Sequence, residues 1–158
     1  EPAAIQELET MLAALATGIP VVKATHKHTH AVTSGAKTLP LTKLQGKKAF
    51  VFCGIGNPEA FFWHVRQNGI VIVGTYIFND HHLFTLDDIK MIIRQAKTCG
   101  AEIILCTQKD WVKSALLTPE DTDIPLAYLA MELEFIEGED VLKKAIDEIL
   151  KKIRYVRT

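Results

Sequence analysis

Three short segments of this 158-residue chain carry side chains that can do chemistry. Asp80-His81-His82 sets a carboxylate beside two imidazoles after an apolar run. That arrangement can orient a histidine as a general base or ligate a metal. Thr107-Gln108-Lys109-Asp110 also follows an apolar run. Lys109 offers a point charge for a phosphate, and Asp110 can hold that lysine or cap the next helix. Gly54-Ile55-Gly56-Asn57-Pro58 turns from a strand into a helix, whose N-terminus suits an anionic group. It is no dinucleotide fingerprint, because Glu59 stands where a third small residue is needed and Pro58 removes an N–H. Each segment taken alone is also an ordinary strand–turn–helix junction. Trp111 can cover an apolar pocket or simply pack the core.

Other clusters carry less. His26, His28 and His30 alternate, so a strand would place all three on one face, where zinc or copper could bind. A solvated polar stretch is the plainer reading. Ser34-Gly35-Ala36-Lys37-Thr38 lacks the Gly-Lys-Ser/Thr succession and the upstream glycine of a phosphate-binding loop, and no Walker A motif occurs in the chain. Cys53, Cys99 and Cys106 form no C-x-x-C pair, and Cys53 and Cys106 fall in apolar runs as reduced core thiols do.

Positioning these residues is the task of the elements around them. Ile5, Leu8, Leu12 and Leu15 give residues 2–16 a helical period. A short strand, Val21 to Thr25, follows, and residues 26–46 read as a polar linker or irregular hairpin with a turn at Ser34-Gly35 and a break at Pro40. Strands are expected over 49–53, 70–78, 103–106 and 126–131. Helices are expected over 58–68, capped by Asn57, over 86–98, capped by Thr85 with Asp88 three residues on, over 110–117 and over 139–154. Strict strand–helix alternation implies a parallel sheet covered on both faces. The expected fold is α/β: a small Rossmann-like three-layer domain over 47–158 with a mostly parallel sheet, preceded over 1–46 by a helix and a linker or hairpin. Ligands of such sheets collect at the carboxyl ends of strands, and all three chemical segments fall there.

The three segments together resemble one family. Phe52-Cys53-Gly54-Ile55-Gly56-Asn57-Pro58-Glu59-Ala60-Phe61-Phe62 resembles its F-x-G-I-x-x-P-x-x-F-F stretch. Gly74 through Asp80-His81-His82 to Phe84-Thr85 resembles its G-T-x-x-F-x-D-H-H-x-[FY]-T stretch, and Thr107 to Lys113 its T-E-K-D-x-V-K stretch. The family is tetraacyldisaccharide 4'-kinase, a P-loop lipid kinase of lipid A biosynthesis, and the likeness runs from about Leu44 to Arg154 with a weaker match before it. Gln108 departs from the usual glutamate and Asn79 from the usual small residue or proline.

The resemblance implies the carboxyl-terminal part of a kinase that moves the γ-phosphate of ATP to the 4'-hydroxyl of a lipid disaccharide, at the cytoplasmic face of a bacterial inner membrane. It implies ATP and Mg²⁺ as cofactors, with their main ligands, the P-loop and the peripheral membrane contact in an amino-terminal domain that would be this chain's partner. His81 would support the catalytic base, with Asp80 beside it; Gly54, Gly56, Asn57 and Lys109 would face the nucleotide, with His82, Gln108 and Asp110 in support. The chain alone is expected to be inactive. It lacks an initiating Met and opens inside a predicted helix, as a fragment would.

Composition sets the outer bounds. A net charge of −1 gives no basic excess of the kind that marks nucleic-acid binders, and no apolar run reaches the ~18 residues of a membrane span. Two other classes stay open at this point: a metal-dependent phosphoesterase using Asp80-His81-His82, and a non-catalytic docking domain.

Overall fold

The computed structural model describes residues 2–15, 17–119 and 122–156. It resolves into two compact units, Lys27–Glu132 and the pair of segments Glu1–His26 with Leu133–Thr158. The strands are β1 (Lys23–Thr33), β2 (Thr38–Pro40), β3 (Lys48–Cys53), β4 (Val71–Ile77), β5 (Ile103–Thr107) and β6 (Leu126–Glu137). The helices are α1 (Pro2–Leu15), α2 (Pro58–Gln67), α3 (Leu86–Thr98), α4 (Gln108–Ser114) and α5 (Glu139–Val156).

Six strands form one sheet in the order β2-β1-β6-β5-β3-β4. β3 pairs in parallel with β4 and β5, and β5 pairs in parallel with β6, whereas β1 and β2 form an antiparallel hairpin. The expected mixed α/β sheet with mostly parallel strands is therefore the observed one.

Side-chain alternation divides the core between two faces. On one face, Ala49, Val51 and Cys53 of β3 and Ile103 and Leu105 of β5 pack with Phe61, Phe62 and Val65 of α2. On the other, Phe50 and Phe52 of β3 and Ile104 and Cys106 of β5 pack with Ile89, Ile92 and Ala96 of α3. Each large side chain fully buried in this way stabilises the fold by roughly 1.5–3 kcal/mol. Gly74 sits mid-strand because any Cβ there would lie 2.7 Å from the Phe50 ring.

Several boundaries differ from the sequence reading by a residue or more, and three differences are instructive. The stretch expected as linker or irregular hairpin is a regular one: β1 runs through the three histidines to Thr33, turns at Gly35 with φ 88°, and returns as β2. Threonine and valine supply the β-branched content that carries the strand past Thr25. β6 continues past Met131 because Glu132-Leu133-Glu134-Phe135 keeps alternating polar and apolar residues and the β-branched Ile136 extends it. α4 begins at Gln108 instead of Asp110, because Thr107 caps it.

In the unit of residues 1–26 and 133–158, Lys23 pairs with Glu9 and, at 2.9 Å, with Glu137. Several apolar side chains of this unit face solvent, among them Ile5, Leu8 and Leu15 of α1 and Ile149, Leu150 and Ile153 of α5. Among the described residues, no helix is long and apolar enough to cross a membrane.

Candidate active site

β5, β3 and β4 are adjacent and parallel, so the loops that leave their carboxyl ends emerge along one rim. The three chemical segments occupy those loops. Phe78 N–H donates to Cys53 C=O at 2.8 Å, which ties the β4 exit to the β3 exit.

Asp110 lies at the centre and is fully buried. Its Oδ2 accepts from Gly54 N–H at 3.0 Å and from the Thr107 hydroxyl at 2.6 Å, while Asp110 N–H donates to Thr107 Oγ1 at 3.1 Å. Its Oδ1 has no hydrogen-bond partner among the described residues and would lie 3.3 Å from a Cβ at Gly54. Thr85 and Asp88 show what the same Thr-x-x-Asp spacing does elsewhere. There the carboxylate reaches back to Thr85 N–H at 2.8 Å and completes a capping box. At α4 the carboxylate is diverted to the neighbouring loop. Asp110 therefore does not hold Lys109, as the sequence allowed.

Lys109 instead reaches Asp80, with Nζ 3.0 Å from Oδ1. The same Oδ1 accepts from His81 N–H at 3.0 Å, and Oδ2 lies 3.6 Å from His81 Nε2. The lysine hydrogen bond, with the His81 N–H bond adding to it, holds the Asp80 carboxyl below the usual carboxylate range against the opposing effect of burial. His81 has φ 63°, a left-handed conformation rare for residues with side chains, and its side chain is 79% exposed.

The two histidines differ sharply. His82 stacks on Phe78 with ring centroids 4.5 Å apart, and its Nε2 lies 3.0 Å from Asp88 Oδ2. Burial pushes the Asp88 carboxyl up, but the hydrogen bonds from His82 and Thr85 outweigh it and leave it below the ordinary value. His82 thus packs at the start of α3, while His81 projects from the rim.

The remaining residues are spread along the same rim. Asn57 caps α2, its Oδ1 accepting from Ala60 N–H at 3.2 Å. Gly56 leaves its loop open, since a Cβ there would meet only Asp80 Oδ2, at 3.9 Å. Gln108 is exposed at the start of α4. The β1 histidines part company: His28 faces the rings of Phe61 and His64, at 6.2 and 5.0 Å, whereas His30 Nδ1 meets the Thr29 hydroxyl at 2.9 Å. Among the described residues, no three His, Cys, Asp or Glu side chains gather as a metal-holding group. Thr107 and Asp88 were not expected as partners of the site. Their repeated Thr-x-x-Asp spacing was the available signal.

Comparison with known proteins bears on the family and the fold. The model of the LpxK family, tetraacyldisaccharide-1-P 4'-kinase, matches residues 2–151. The chain belongs to the tetraacyldisaccharide 4'-kinase family. A family member from Chlamydia abortus is 35% identical over 116 residues, covering 73% of this chain and 32% of its own length. Another, from Chlorobium limicola, is 30% identical over 137 residues, covering 85% of this chain and 39% of its own. A crystal structure of LpxK from Aquifex aeolicus in complex with ATP superposes with a TM-score of 0.56 at 25% identity, over 84% of this chain and 37% of that one. The chain thus spans about a third of the length of these family members.

Proposed function

We propose that this chain is the carboxyl-terminal part of an ATP-dependent lipid kinase that phosphorylates the 4'-hydroxyl of a tetraacyldisaccharide 1-phosphate. One observation carries the reading: the three family segments, distant in sequence, meet at a single rim formed by adjacent parallel strand ends. His81 is the residue this rim presents. Its exposed imidazole hydrogen-bonds the base that takes the hydroxyl proton, and that base belongs to the partner domain. Delivering it from a separate domain couples chemistry to closure and excludes water.

The P-loop, the Mg²⁺ ligands and the peripheral contact with the inner membrane belong to that amino-terminal partner. Asp80 is paired with Lys109, and Asp110 is bonded to Gly54 and Thr107, so neither stands ready as a metal ligand. ATP would be approached here by the open side of the loop at Gly56, since the Gly54 amide is already taken by Asp110, with its triphosphate held chiefly by the partner. The exposed apolar residues of α1 and α5 are consistent with further polypeptide covering them. By itself the chain does not transfer phosphate.

The test is His81→Ala in a kinase chain that carries both parts, assayed with ATP and the lipid disaccharide. The expected result is a fall in kcat of about 10²-fold or more, the usual worth of acid–base assistance. An unchanged kcat would refute the assignment.

A further inference from the structure

We propose that Lys109 is a positioning residue: by holding Asp80, it fixes the turn that presents His81 at the rim. The inference refines the kinase reading and removes Lys109 from the nucleotide contact that its place in the sequence implies.

Order propagates outward from the core. Asp110 is fully buried and bonded to Gly54 N–H and the Thr107 hydroxyl, so the first turn of α4 is anchored to the exits of β3 and β5. Lys109 is the preceding residue, so its backbone inherits that anchoring. Its ammonium reaches Asp80 Oδ1 at 3.0 Å, across to the β4 exit. That oxygen also accepts His81 N–H at 3.0 Å, and His82 N–H closes the turn onto Asn79 C=O at 3.1 Å.

His81 needs such support. Its φ of 63° is costly for a residue with a Cβ and persists only where the surroundings impose it. Its ring is 79% exposed, so ring packing contributes little to holding it. The Asp80 carboxylate is the group that grips its backbone, and Lys109 is the cation that grips the carboxylate. The depressed titration of Asp80, caused first by the Lys109 hydrogen bond, agrees with this order.

The experiment is amide hydrogen exchange by NMR on this chain and on Lys109→Met, Lys109→Arg and Asp80→Asn variants. Amides of Val51 and Leu105 in the sheet report that each variant is folded. Lys109→Met is expected to speed exchange at His81 about threefold, in keeping with an exposed ion pair. Lys109→Arg should restore the original rate, and Lys109→Met should add nothing in the Asp80→Asn background. The proposal is overturned if His81 exchange is unchanged in Lys109→Met, if arginine fails to restore it, or if the effect persists without the Asp80 carboxylate. Asp80→Asn alone must also speed His81 exchange, so the idea stays testable through that variant should Lys109→Met not fold. None of these readouts uses phosphoryl transfer, so their failure is separate from failure of the kinase reading.

Discussion

Gly54 N–H and Asp110 Oδ2, fifty-six residues apart in the chain, form a 3.0 Å hydrogen bond beneath the rim. The surroundings are close enough that a side chain at Gly54 would have to push its neighbours aside. A Cβ would stand 3.2 Å from Asn79 C=O and 3.3 Å from Asp110 Oδ1. Gly54→Ala should therefore destabilise the fold by about 1–2 kcal/mol, the cost of modest overpacking, as measured by urea unfolding.

Asp110→Ala should cost more. It strands the Gly54 amide and the Thr107 hydroxyl and empties a fully buried site. A loss of about 2–4 kcal/mol is expected from unsatisfied donors plus lost packing, seen as a lowered midpoint in the same titration. Thr107→Val, which keeps the shape and removes the hydroxyl, should show a smaller loss of about 1 kcal/mol.

Thiol chemistry gives an independent check of the core. Burial, with the nearby Asp110 charge adding to it, pushes the Cys53 thiol up to about 12, and burial also raises Cys106 well above its ordinary range. Cys99 is exposed. The thiolate is the nucleophile, so a thiol reagent at pH 8 should label Cys99 alone in the folded chain and all three cysteines in denaturant. Labelling of Cys53 before Cys99 would contradict the packing described here.

Acid should loosen the start of α3. Asp88 has a folded-state pKa below its ordinary value near 3.8. Its contribution is therefore fully present above that value and is lost as pH falls through the lower folded pKa. The expected outcome is a stability loss below about pH 4 that is smaller in Asp88→Asn, whose stability is already reduced at neutral pH. Thermal unfolding from pH 7 down to pH 3 measures it.

Much of the fold was legible because periodicity and punctuation agreed. Thr85 and Asp88, with Gly100 beyond, marked α3 at both ends, and its bounds match the expected 86–98. Asn57-Pro58 marked the start of α2 in the same way. The hairpin was harder to read, because β1 is rich in His, Lys and Thr and shows no run of apolar residues. The distal half of β6 was missed because glutamates, which are depleted in strands, recur through it. At the candidate site, strand-end placement was legible from order alone. The pairing of Lys109 with Asp80 was not, because a lysine's reach across a rim depends on which strands are neighbours, and β5 and β4 are separated by β3 in the sheet.

The left-handed backbone at His81 sets stability against presentation at one position. Glycine would adopt that conformation at no steric cost, relieving about 1 kcal/mol, yet would delete the imidazole that the turn exists to display. A selection for thermal tolerance alone would therefore drift toward glycine at this residue, whereas a selection for turnover would hold the histidine. The preference recovered under each regime would reveal which of the two demands governs the position.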